Sequence, residues 1–136
     1  MIRTNNLHIV IAEDDTDDTE IILESFSRHS SFTKISLVKN GKELIDFLNS
    51  DEEKPDVILT DINMPVVNGI EALKEISRNS EMSQIISFAY STSINILYQK
   101  KCLQYGAKAF IIKPGVIGEF ERIPHKIMEV INSLQT

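Results

Sequence analysis

Cysteine is almost missing: Cys102 is the only one in 136 residues. That excludes an internal disulfide and a cysteine metal cage and fits a reducing compartment. Cys102 itself reads as a small residue on a helix face. Basic runs are missing too, the longest being Lys100-Lys101, and 14 basic against 20 acidic residues leave a net charge of −6. Direct nucleic-acid binding is therefore not expected. No segment approaches the length of an apolar membrane span, and Met1 to Leu7 lack the apolar core of a signal peptide. The expectation is a soluble, cytoplasmic protein without membrane contact. Repeats, low-complexity tracts and linkers are also absent, so 136 residues with 42% hydrophobic composition suit one domain over 1–136, its core spanning about 7–134.

What is present is organised around Val57-Ile58-Leu59-Thr60-Asp61-Ile62-Asn63-Met64-Pro65. Apolar, strand-forming residues stop at an acid and give way to a proline-bearing turn, the pattern of a central parallel strand buried on both faces. Taken alone, Asp61 could simply begin a turn. Its companions argue otherwise.

Leu7 to Ala12 is a β-branched strand ending at Glu13-Asp14-Asp15, followed by a helix from Thr16 to His29 with Ile21, Ile22, Leu23 and Phe26 at helical spacing. Ile35 to Val38 is a weaker strand closed by Asn40-Gly41, and Leu44, Ile45, Phe47 and Leu48 mark the next helix. After Asp61 and Asn68-Gly69 comes a helix with Ile70, Leu73 and Ile76. The fourth strand, Ile85 to Tyr90, ends at Ser91, and its helix carries Ile96, Leu97 and Leu103 up to Gly106, a candidate left-handed terminator. Ala109 to Ile112 is the fifth strand, and Ile123, Ile127, Ile131 and Leu134 line the last helix. Pro124 requires that helix to start late, near Ile123, or to be kinked. Five strands alternating with five helices predict an α/β, doubly wound parallel sheet with helices on both faces.

In such a sheet Glu13, Asp14, Asp61, Ser91 and Lys113 all stand at one edge. Six acids fall between Glu13 and Glu20. A favourable helix dipole explains Asp17, Asp18 and Glu20. Glu13 and Asp14 face Asp61 across the sheet and repel it unless a cation intervenes. Oxygen donors without histidine or cysteine point to Mg²⁺. With Lys113 and Ser91 added, the set is similar to a phosphoryl-transfer site, with Asp61 as nucleophile.

These residues resemble the receiver domain of two-component response regulators: Ile-Val-Ile-Ala-Glu13-Asp14-Asp15, Asp61-Ile-Asn-Met64-Pro65, Gly69, Ser91-Thr92 and Lys113-Pro114, over Leu7 to about Leu134. The resemblance implies the flavodoxin-like strand order 2-1-3-4-5. It implies phosphorylation of Asp61 by a histidine kinase or histidine phosphotransfer protein. The Mg²⁺ (or Mn²⁺) would be held by Glu13, Asp14, Asp61 and the Asn63 carbonyl. Ser91 and Phe110 would form the switch pair, Lys113 would be the phosphate-facing lysine, and a cis bond is expected before Pro114. Kinase docking is expected around Ile21 to Phe26, and output through the fourth helix, fifth strand and last helix. Glu13 stands where many members have aspartate, which implies one ligand bridging through water. Thr92 is bulkier than the usual residue there, and Pro124 and Gly118 alter the last helix. His8, His29 and His125 fall on unrelated elements and are assigned no role.

The expected function is a stand-alone receiver, not an enzyme, that switches protein–protein interaction with a downstream protein or as a homodimer. A phosphorelay shuttle between histidine-containing proteins is the alternative. An aspartate-nucleophile phosphatase is disfavoured, because Asn63 stands where such enzymes commonly carry a second acid.

Overall fold

The structure, a computed structural model, describes residues 2–51 and 53–135. Among them the chain alternates β1 (Leu7–Ala12), α1 (Thr16–Ser27), β2 (Phe32–Val38), α2 (Gly41–Asn49), β3 (Val57–Asp61), α3 (Gly69–Ser77), β4 (Ile86–Ser91), α4 (Ile96–Gln104), β5 (Ala107–Ile112) and α5 (Arg122–Ser133). The strands pair in parallel in the order β2-β1-β3-β4-β5. This is the predicted doubly wound sheet. Every residue of β1 and β3 is buried, as their apolar runs require of central strands.

Successive residues point to opposite faces. Leu7, Ile9, Ile11, Leu59 and Phe88 pack with Ile22 and Phe26 of α1 and Ile123, Ile127 and Ile131 of α5. On the other face, Val10, Ala12 and Ile58 pack with Leu44, Ile45 and Leu48 of α2 and Ala72 and Ile76 of α3. A smaller cluster of Ile62, Leu73, Ala89, Cys102 and Ala107 seats α4, with Phe110 against it.

Helix starts follow the caps. The Asn40 and Asn68 side chains accept from the Glu43 and Glu71 backbone amides, and Asn68 with Glu71 forms a complete capping box. Pro124 is the third residue of α5, where a missing amide hydrogen costs no helical bond, and a 3-10 turn, Ile117–Glu121, precedes it. The late start is thus observed. Gly106 ends the fourth αβ unit at φ 96°, in the left-handed region glycine tolerates.

Ile96, Leu97 and Leu103 lie on α4 as predicted and are 66%, 68% and 50% exposed, and Cys102 is the one residue of α4 that is buried, because this helix meets the sheet only at its edge. Two expectations are corrected. The Lys113–Pro114 bond is not cis: the described residues contain no cis peptide bond, and the bond keeps the trans form that X–Pro peptides ordinarily favour. His29 and His125 are not on unrelated surfaces, since the end of α1 packs against the start of α5 and brings their rings to 5.0 Å.

Candidate functional site

The strand parity that fills one core face also aims its last residues at a common point. Continuing the face of Ile11 and Leu59, Glu13 and Asp61 project towards α1 and α5, and Tyr90 of β4 and Lys113 after β5 join them there. Glu13, Asp61, Tyr90 and Lys113 are all buried. Lys113 Nζ stands 2.7 Å from Glu13 Oε1, 2.9 Å from Asp61 Oδ2 and 3.0 Å from Asp18 Oδ2, so its three N–H donors are spent on three carboxylates. The Tyr90 hydroxyl donates to Glu13 Oε1 at 2.6 Å, and the Lys113 ammonium lies 4.6 Å from the Tyr90 ring centre.

Burial alone would lower the Lys113 pKa, but the hydrogen bonds to Glu13 and Asp61 outweigh it and hold the ammonium above its ordinary value. Burial pushes the Glu13 carboxyl up, against the opposing pull of Lys113 and Tyr90. Burial, with the Glu13 carboxylate beside it, also pushes the Tyr90 phenol far up, so Tyr90 keeps the proton it donates to Glu13.

Asp61 lines an open cavity of about 530 Å³, together with Asp14, Asp18, Asn63, Thr92 and Lys113. Thr92, bulkier than the residue often found there, is on that wall. Carboxylate oxygens of Glu13, Asp14 and Asp61 lie within 4.8 Å of one another. Such an all-oxygen set fits a hard divalent cation. The three differ in availability: Glu13 Oε1 accepts from Tyr90 and Lys113 and Oε2 from the Asp15 amide, whereas Asp14 is exposed. Asp61 Oδ1 accepts from the Asn63 amide at 3.1 Å, which turns the Asn63 backbone around the cavity.

The loop carrying Asn63 is clamped by two glycines. Gly69 N donates to Ile62 O, and Gly41 N to Val67 O. At either glycine a Cβ would collide with backbone. The same loop holds Val66 at φ 68°, 74% exposed, in a region β-branched residues avoid.

Ser91 closes β4 fully buried, its Oγ accepting from the Ser93 amide at 3.1 Å. It is not among the residues lining the cavity. Ala89, paired with Phe110 across β4 and β5, shares a face with Ser91 by alternation, so Ser91 and Phe110 occupy the same side of the sheet.

Residues 9–123 match the family described as Response regulator receiver domain. The chain belongs to the response regulator receiver family. It is 30% identical over 137 residues to the two-component response regulator ARR7 of Arabidopsis thaliana, covering 93% of this chain and 65% of that protein. It is 33% identical over 100 residues to a protein-glutamate methylesterase/protein-glutamine glutaminase of Methanococcoides burtonii, covering 74% of this chain and 28% of that one. Among solved structures, the phosphorylated cyanobacterial phytochrome response regulator RcpA superposes with a TM-score of 0.87 at 26% identity, over 96% of this chain and 97% of that one. The receiver thus spans less than two thirds of the length of these two curated relatives.

Three site residues of this receiver escaped sequence reasoning. Tyr90 reads as one more strand residue, and Gly41 as the close of β2. Asp18 reads as a dipole-favouring acid, and only its place three residues after the Asp15 cap, facing β5, could have suggested more.

Proposed function

We propose that this receiver takes a phosphoryl group onto Asp61 from a histidine kinase or histidine phosphotransfer protein and thereby switches its affinity for a downstream protein. The observation that carries the reading is Lys113 Nζ at 2.9 Å from Asp61 Oδ2 in the lining of an open, acid-lined cavity. A carboxylate oxygen of Asp61 forms the new O–P bond as the donor's P–N bond breaks, and the donor imidazole leaves with that electron pair. Lys113, already charged beside Asp61 Oδ2, supplies positive charge to the oxygens on which negative charge accumulates. Asp14, Asp61 and the Asn63 carbonyl would hold Mg²⁺ or Mn²⁺, with Glu13 reaching it through water, and the bound ion supplies positive charge to the phosphoryl oxygens.

Output then runs through Ser91 and Phe110. A phosphoryl oxygen draws the Ser91 hydroxyl away from the Ser93 amide, and the half-buried Phe110 ring, on the same face, takes up the vacated space. α4 packs near Phe110 through Cys102 and exposes Ile96, Leu97 and Leu103, and a partner on that helix feels the change only through its different affinity for the two states.

The reading is tested by intact-mass analysis after incubation with acetyl phosphate. Label is expected on the wild type only with Mg²⁺ or Mn²⁺ and is expected to vanish in Asp61→Asn. Equal label on Asp61→Asn sinks the assignment. Rapid return of the group to a histidine protein identifies a relay shuttle instead of a switch.

A further inference from the structure

One contact of Lys113 departs from the pattern set by the starts of α2 and α3. At α3 the third helical residue, Glu71, reaches back to the Asn68 amide, and at α2 Glu43 accepts from the Lys39 amide, so each acid serves its own helix start. Asp18 holds the equivalent third position of α1, and its own amide is capped by Asp15 Oδ1 at 2.9 Å. The Asp15 amide, however, goes to Glu13 Oε2, and the Asp18 carboxylate turns across the cavity to Lys113 Nζ at 3.0 Å.

The three acceptors on Lys113 are not equivalent. The Glu13 side chain is 1% exposed and also held by Tyr90, and the Asp61 side chain is 8% exposed and fixed at the end of β3, but the Asp18 side chain is 27% exposed. A phosphoryl oxygen on Asp61 needs one N–H of an ammonium whose donors are all taken. Asp18 is the acceptor able to turn out into water without leaving a buried charge behind.

Resting on the phosphoacceptor reading of Asp61, we propose that Asp18 is a positioning residue for Lys113. It holds the ammonium from across the cavity while Asp61 is unmodified and is displaced when the phosphoryl oxygen arrives. The Asp18 charge and its hold on Lys113 both oppose phosphorylation, so Asp18 sets the resting state. Its release frees the side chain of a residue in the first turn of α1, so that turn senses the modification independently of Ser91 and Phe110.

Two hydrogen-bond lengths through Lys113 place the Asp18 charge roughly 6 Å from the phosphoryl site, where removing one unit charge changes a rate or affinity roughly tenfold at an effective dielectric constant near 40. The experiment measures labelling of the full chain by acetyl phosphate at saturating Mg²⁺, and the apparent affinity for beryllofluoride, in wild type, Asp18→Asn and Asp18→Glu. Asp18→Asn is expected to label about tenfold faster and to bind beryllofluoride about tenfold tighter, and Asp18→Glu to return towards wild type. A structural lesion does not accelerate labelling. Unchanged or slower labelling in Asp18→Asn, with the wild type labelled, overturns the role of Asp18 and leaves Asp61 standing as acceptor. A wild type that neither labels nor binds beryllofluoride overturns both.

Discussion

Gly69→Ala probes how closely the loop after β3 is built onto the candidate acceptor. A Cβ at this position would lie 2.8 Å from Ile62 Cα and 2.9 Å from the Asp61 carbonyl carbon, and closer still to the Asp61 carbonyl oxygen. All three atoms are backbone at the end of a buried central strand, so no side chain can swing aside. Overpacking of this kind costs about 1–3 kcal/mol, and rigid neighbours put it near the upper end. Alanine at the first position of α3 returns about 0.5–1 kcal/mol through helix propensity and a less flexible unfolded chain. The net loss is about 2 kcal/mol, which for a chain of this length lowers the melting temperature by roughly 6–10 °C. The carbonyl that must yield belongs to Asp61, so its carboxylate shifts relative to Lys113, and labelling slows by roughly 10- to 100-fold. Gly118→Ala is the control, since nothing lies within 4 Å of a Cβ there. Thermal melts of the two variants decide the matter. A Gly69→Ala protein melting within about 1 °C of Gly118→Ala would refute the clamp.

Val66→Asn is expected to stabilise the fold by about 1 kcal/mol, because asparagine tolerates the φ of 68° that valine resists; a denaturant midpoint at or below wild type contradicts this. Tyr90→Phe keeps the ring beside Lys113 but strips one donor from Glu13 Oε1, and a loss of about 1–3 kcal/mol is expected by denaturant titration. His8 is buried with Nδ1 unpartnered, and burial, then Lys34, lowers its pKa below the unfolded value of 6.5. The unfolded chain therefore binds the proton first, and stability falls as pH drops from above 6.5 towards the lower folded value. Unfolding titrations of wild type and His8→Gln across that window are expected to show a shallower acid slope in the variant, and parallel slopes would contradict it.

The fold was legible because β1 and β3 are built on short apolar runs, Ile9 to Ala12 and Val57 to Leu59, that lead into acids, and because the helices carry clear apolar pairs four residues apart, such as Leu44 with Leu48 and Ile127 with Ile131. The gathering of Glu13, Asp61 and Lys113 was legible because parallel strands align their carboxyl ends. Tyr90 was not, because its hydroxyl crosses β3 to reach Glu13, and local periodicity carries no cross-sheet pairing. Asp18 was misjudged for a related reason: an acid in a first helical turn is self-explanatory until the residue opposite it is known. The exposure of Ile96 and Leu97 was hidden because an apolar stripe at helical spacing looks the same whether it faces the core or a partner.

The central claim is that Asp61 carries the phosphoryl group, and the most direct measurement is to trap and map it. Protein labelled by acetyl phosphate is reduced with borohydride, which converts an aspartyl phosphate to homoserine, and its peptides are sequenced by mass spectrometry. The account predicts homoserine at the Asp61 position and at neither Asp14 nor Asp18. Recovery at one of those acids instead, or label that survives only on His8, His29 or His125, would contradict it.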